Sequence, residues 1–261
     1  MYQGINIFGF YKNTNNRSYS SLQNDAYIAS FDSTKCPPIV FICTKTANNM
    51  SFKLNDITNA ATLFIENLTK VDIDDLSIFY YVGSTFAQKK DNCNAEIEIT
   101  ESTTGTKYYS DIFILTDDFI DKIKITASSK DITFLLSYKV PITGITFEFY
   151  LNCNNSRIFQ NISEPQLNEV GVEKPNGDIP SFCTVSFDNK LEIPGNANIF
   201  KFLSLLRVLS INGNVYVTKD NETTEIYNIS VSQKEDSGYQ EGFIMYLSYR
   251  EMNYISSRNA I

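Results

Sequence analysis

Three groups of carboxylates and one set of tyrosines have the types and spacing in this sequence that chemistry can use. Asp72, Asp74 and Asp75 form a D-x-D-D cluster, a source of hard oxygen ligands for calcium. The glycine and closing glutamate of an EF-hand loop are missing, so the cluster reads as a solvated turn. Asp117, Asp118 and Asp121 make a second group, and Glu96 with Glu98 a third. Either could be imagined as the paired carboxylates of a glycosidase. A connector and the outer face of a strand are where carboxylates ordinarily serve solvation, and that is the reading taken for both groups. Tyr108, Tyr109, Tyr246 and Tyr249 could form a platform for stacking sugar rings, although a strand core or a subunit interface uses the same residues more often. No catalytic, cofactor-binding or metal-binding residue is expected.

The absences narrow the chemistry further. The chain has no histidine, which removes Ser-His and Cys-His nucleophiles, imidazole metal ligands and imidazole acid–base work together. Neither a GxxxxGK[ST] phosphate loop nor a GxGxxG fingerprint occurs, so nucleotide use has no support. Cys36, Cys43, Cys93, Cys153 and Cys183 are scattered without a CxxC pair, and an odd number does not complete a disulfide framework. Reduced thiols and assembly in the cytosol are expected. A formal net charge of −8 withholds the electrostatic attraction that general binding to phosphates needs. Asn-x-Ser/Thr triplets such as Asn67-Leu68-Thr69 arise by chance in a chain so rich in asparagine.

The elements that would position these groups are strands. Hydrophobic residues make up 43% and charged residues 20%, which suits a packed core and not a disordered chain. Phenylalanine and tyrosine are interleaved with Ile, Val and Thr, residues that fit a half-buried pleated surface. Ala95, Ile97 and Ile99 alternate with Glu96, Glu98 and Thr100; Ile145, Phe147, Phe149 and Leu151 alternate with Thr146, Glu148 and Tyr150; Phe243, Met245 and Leu247 repeat the pattern. This period of two marks strands with one face on a core. The runs 39–43, 62–65, 78–82 and 132–136 are more continuously apolar, as in strands covered on both sides. Pro141 to Gly144, Lys174 to Asp178 and Lys219 to Glu222 carry turn chemistry, the last inside a hairpin from Val215 to Val231.

One segment breaks this rhythm. Ile199, Phe202, Leu203, Leu206 and Leu209 recur at spacings of three and four, which predicts a core-facing helix near 198–209. Residues 161–180, with three prolines, read as a long loop, a natural arm in an assembly. The run Tyr108 to Leu115 reads as the last strand of a first domain and Thr116-Asp117-Asp118 as a connector. The expectation is therefore a mainly β protein of two antiparallel β-sandwiches, Ig-like or jelly-roll-like, spanning 1–115 and 116–261, with the helix in the second. Met1 to Phe10 has no basic segment before an apolar run and does not read as a signal peptide. The most apolar window, 199–211, contains Lys201 and Arg207 and is too short to span a bilayer.

Tyr108-Tyr109-Ser110-Asp111-Ile112-Phe113 resembles a YYS(D/E)-x-F strand at the end of an N-terminal sandwich in virion proteins of crAss-like phages, which infect Bacteroidetes. The later order is similar too: the strand Ile145 to Leu151, Glu164 and Glu169 in a loop, Gly177 before a strand at Thr184, the apolar helix and the Val215-Tyr216-Val217 hairpin. The abundance of Asn, Lys and Ile also fits an AT-rich phage genome. The resemblance implies a non-enzymatic structural subunit of the virion, assembled in the host cytoplasm. It would form a closed homo-oligomeric ring in the neck or tail below the portal. Its partners would be itself and other portal, neck or tail proteins, with no membrane and no specific nucleic acid, although DNA passes through such a ring. The alternative is a glycan-binding adhesin or fibre module.

Overall fold

The computed structural model describes residues 3–4, 9–14, 28–128, 144–153, 166–171, 181–194, 199, 203, 214–233, 242–251 and 255–256. These residues are mainly strand, with almost no helix. In chain order they form β1 (Gln3–Gly4), β2 (Phe10–Tyr11), β3 (Ser30–Asp32), β4 (Lys35–Cys36), β5 (Ile39–Thr44), β6 (Met50–Asp56) and β7 (Ala61–Asn67). Next come β8 (Thr69–Ile73), β9 (Leu76–Tyr81), β10 (Ser84–Thr85), β11 (Cys93–Glu101), β12 (Lys107–Ser110) and β13 (Phe113–Thr116). After the Asp117–Asp121 connection follow β14 (Lys122–Ser128), β15 (Thr146–Asn152), β16 (Gln166–Gly171), β17 (Ser181–Pro194), β18 (Asn214–Lys219), β19 (Glu222–Gln233), β20 (Gly242–Glu251) and β21 (Ile255–Ser256).

Period-two burial drives most of this. In β6, Met50, Phe52 and Leu54 are buried while Ser51, Lys53 and Asn55 face partly outward. In β14, Ile123, Ile125 and Ala127 are buried between half-buried Lys122, Lys124 and Thr126. β11 buries Ala95, Ile97 and Ile99, and β15 buries Phe147, Phe149 and Leu151, as the alternation predicts. Each fully covered large side chain contributes about 1.5–3 kcal/mol relative to exposure. Two-residue turns close the hairpins where local chemistry permits left-handed backbone. Asp220 and Asn221 take φ of 52° and 68° between β18 and β19, the twist-matched geometry that tight hairpins prefer.

The strands build three ladders. β1-β5-β9-β8 is a four-stranded sheet and β10-β4 a two-stranded one. The third has fifteen strands: β16-β17-β20-β19-β18-β14-β15-β3-β13-β11-β12-β2, with β6 beside β11, β7 beside β6 and β21 beside β17. The four-stranded sheet lies against β2, β6, β7 and β12 through aromatic rings. Phe41 meets Tyr108 at 5.0 Å and Phe10 at 5.5 Å between ring centroids, and Tyr81 meets Phe52 at 5.0 Å and Phe64 at 6.0 Å. Offset and edge-on ring pairs of this kind add about 0.5–1.5 kcal/mol each to their burial.

Several sequence expectations change. The pairing is mixed, because β3 runs parallel to β13 in register Ile114↔Ser30, Leu115↔Phe31 and Thr116↔Asp32. The single strand expected from Tyr108 to Leu115 is two, β12 and β13, broken at Asp111 and Ile112. The break has a local cause: Gly9 donates its N–H to the Asp111 carboxylate at 3.1 Å and Asp111 donates its own to the Gly9 carbonyl at 3.1 Å, tying the early chain to this corner. Within the expected 161–180 loop, residues 166–171 form β16 on β17, and the rest lies outside the described residues. The run 62–65 is not covered on both sides; it lies in β7, where Ile65 is 58% exposed. Of the expected helix, Ile199 and Leu203 are helical and buried, one turn apart, and the other positions lie outside the described residues. The run 132–136 and the turn at 174–178 lie outside them as well. No helix among the described residues is long and apolar enough to cross a membrane.

Candidate functional site

Where the chain passes from the first half to the second, β3 stands between β13 and β15, joined to β15 through Tyr150↔Ser30. Backbone bonds fasten it: Ser33 donates to the Thr116 carbonyl and Ile114 to the Ala29 carbonyl, each at 3.0 Å. The Lys122 ammonium donates to Ser30 Oγ at 2.9 Å. Beside this seam lies a recess of about 220 Å³ lined by Phe31, Lys35, Pro38, Val82, Gly83 and Glu148, among others. It is smaller than the roughly 300–1,000 Å³ of ordinary small-molecule pockets.

Its charges are internally matched. Lys35 Nζ donates to both oxygens of Glu148 at 3.1 Å, and Lys124 Nζ reaches Oε1 at 2.7 Å. Burial alone would raise the Glu148 pKa, but the bonds from Lys124 and Lys35 outweigh it and hold the carboxyl below its ordinary value. On the other wall, Asp32 Oδ1 accepts from the Thr34 N–H at 2.8 Å and hydroxyl at 2.7 Å. Cys36 in the lining is buried, and burial pushes its thiol far up, so it stays protonated and is no nucleophile. The recess therefore suits a short neutral or apolar group.

A second, wider recess of about 390 Å³ lies on the outer face of β6, β7 and β11, where Lys53, Asn55, Glu96, Glu98 and Lys107 meet. Cross-strand register sets this face, with Glu98 opposite Lys53 and Glu96 opposite Asn55. Lys107 Nζ sits 3.0 Å from Glu98 Oε1, and that hydrogen bond raises the lysine's pKa. The two glutamates thus share one face, but Glu98 is buried beneath the Lys107 ammonium and does not serve the surface solvation expected from the sequence.

The other residues singled out by sequence fall in separate places. Asp72 lies in β8, accepting from Ser77 Oγ at 2.6 Å and Lys70 Nζ at 3.1 Å, bonds that lower its pKa. Asp74 and Asp75 are the two-residue turn to β9, with Asp74 at φ 48°. Asp117 is paired with Lys89, Asp118 Oδ1 accepts from the Ile120 N–H at 3.1 Å, and the Asp121 carbonyl accepts from the Cys153 N–H at 3.3 Å. Asp118 thus braces its own turn, Asp72 and Asp117 pair with lysines, and Asp121 is held through its backbone. Tyr108 is 3% exposed against Phe41, so it belongs to the core and not to an exposed platform. Tyr109 is half-buried beside Glu98, and the side chains of Tyr246 and Tyr249 on β20 are outside the description. Cys36, Cys43, Cys93 and Cys153 are buried, and burial raises Cys43 and Cys93 to about 11.

Sequence reasoning missed the Lys35–Glu148–Lys124 group and the tie between Gly9 and Asp111. Glu148 occupies the outward position of an alternating strand, and its two partners are 113 and 24 residues away. A hint existed in Tyr150, on the same face, which is too apolar to be left wholly in water. It stacks on Phe119 at 3.8 Å, and burial leads the causes that raise its pKa to about 12. The sequence matches no protein-family model and no curated protein.

Proposed function

We propose that this chain is a non-enzymatic structural subunit of a bacteriophage virion. One copy contributes to a closed homo-oligomeric ring in the neck or tail below the portal, alongside other portal, neck and tail proteins. Its body is two stacked-sheet units, Ig-like or jelly-roll-like, over 1–115 and 116–261. The observation that carries the reading is the unbroken hydrogen-bonded path from β7 to β16, in which β3 joins the early and late strands into one ladder. A subunit that links a capsid to a tail must pass load between neighbours without hinging, and a continuous sheet supplies that stiffness. The sequence resemblance agrees with it, and so do the matched charges in the seam recess and the Asp72 and Asp117 carboxylates paired with lysines. The glycan-binding alternative loses Tyr108 from its platform.

The test is the content of purified particles of the phage that encodes the chain. Mass spectrometry should find the protein in several copies per particle, and labelled antibody should mark the neck or tail. Absence from the particles would end this reading.

A further inference from the structure

The fifteen-stranded sheet ends in two strands that differ from every other edge among the described residues. β1, β2, β4, β10 and β21 are two residues long, and short edge strands offer little to pair with. β8 carries Lys70 and Asp72, charges of the kind that blunt an edge. β7 and β16 have seven and six residues; neither contains lysine, arginine or proline, and each carries a single glutamate, Glu66 and Glu169. In β7 the register shift falls between Leu54 and Asn55, opposite Thr62 to Phe64, so the stretch from Phe64 to Asn67 keeps regular pairing with β6. Ile65, 58% exposed, and Ile57, 38% exposed on the adjoining turn, sit beside this edge.

We infer that β7 of one copy pairs with β16 of the next, so that the sheet continues from subunit to subunit. The occupant is a second copy of this chain because the two edges, without a strand partner on their outer sides among the described residues, are unlike, similar in length and at opposite ends of one ladder. Backbone N–H and C=O groups on the outer sides of both strands, unpaired with any strand among the described residues, supply the affinity, as in other strand additions. Pairing unlike ends is head-to-tail, and head-to-tail contacts close into rings when the rotation permits. The inference rests on the ring reading above and names its interface.

Cysteine cross-linking of the full chain tests it, because the four described native thiols are buried. Chains carrying Ile65→Cys are mixed with chains carrying Val170→Cys under mild oxidation, with scans over 64–66 and 168–170 to find the register and wild type as control. Covalent heterodimers in the mixture, and ladders from the double variant, are expected. Ile65→Lys should lower assembly by about tenfold while circular dichroism and melting stay as in wild type. Cross-linking by Ile65→Cys alone would overturn the inference in favour of a two-fold edge pair. Rings that form normally with Ile65→Lys and give no ladder would overturn it while leaving the ring reading intact. A chain that never assembles, alone or in particles, would overturn both.

Discussion

β7 and β8 are neighbours in sequence, joined through Leu68, and each closes one side of its sheet, yet they meet solvent differently. β8 presents Lys70 bonded to Asp72, which also accepts from Ser77, while β7 presents Ile65 and Glu66 and turns Phe64 onto the core. Both rest on the same aromatic core, so the difference does not come from what lies beneath them. It lies in the side chains facing outward, and it separates an edge protected from pairing from one left open to it.

The largest expected effect removes the support common to both. Phe41 is fully buried between Phe10 and Tyr108, and Phe41→Ala should cost about 3–5 kcal/mol in chemical denaturation. Amide exchange should then quicken in β7 and β8 alike; protection lost in one alone would break the comparison. Gly83→Ala acts on the β9 side. Gly83 has φ 89°, and an added Cβ would sit 3.1 Å from the Cys36 carbonyl oxygen. A loss of about 1–3 kcal/mol is expected, with faster exchange in β9 and β10 than in β7.

Glu148→Gln is a control away from both edges, and about 1 kcal/mol or less is expected from its partly exposed pairs. Because the folded-state pKa lies below the unfolded one, this contribution is present above the ordinary glutamate range. It fades as pH falls through the folded value, so wild type and variant should converge in acid unfolding once pH is well below the ordinary glutamate range. The smallest stability effect belongs to Lys70→Ser with Asp72→Ser, which strips charge from β8 and should leave melting nearly unchanged. Analytical ultracentrifugation should then detect new self-association through β8; unaltered sedimentation would show that charge is not what keeps that edge apart.

Much of the fold was legible because burial with a period of two is a local property. Ala95 to Ile99, Ile145 to Leu151 and the Asp220-Asn221 hairpin needed only their own side chains and turn chemistry. The parallel pairing of β3 with β13 was not legible, since it joins Ser30 to Ile114 and no local pattern encodes that partner. Nor was the exposure of Ile65: an apolar run looks alike in a central strand and in an edge left bare. β16 escaped for a simpler reason, as Gln166 to Gly171 is short, polar and set among prolines. The recesses followed the same rule, with Glu96 and Glu98 visible as neighbours on one strand and Lys35, Lys124 and Glu148 gathered only by the fold.

The central claim is that this sheet is one subunit's share of a longer, circular one. Imaging purified particles at a resolution that separates strands tests it directly. The account predicts density for this chain in a closed ring, with β7 of each copy alongside β16 of its neighbour. Density in which β7 faces solvent or a different protein would contradict it.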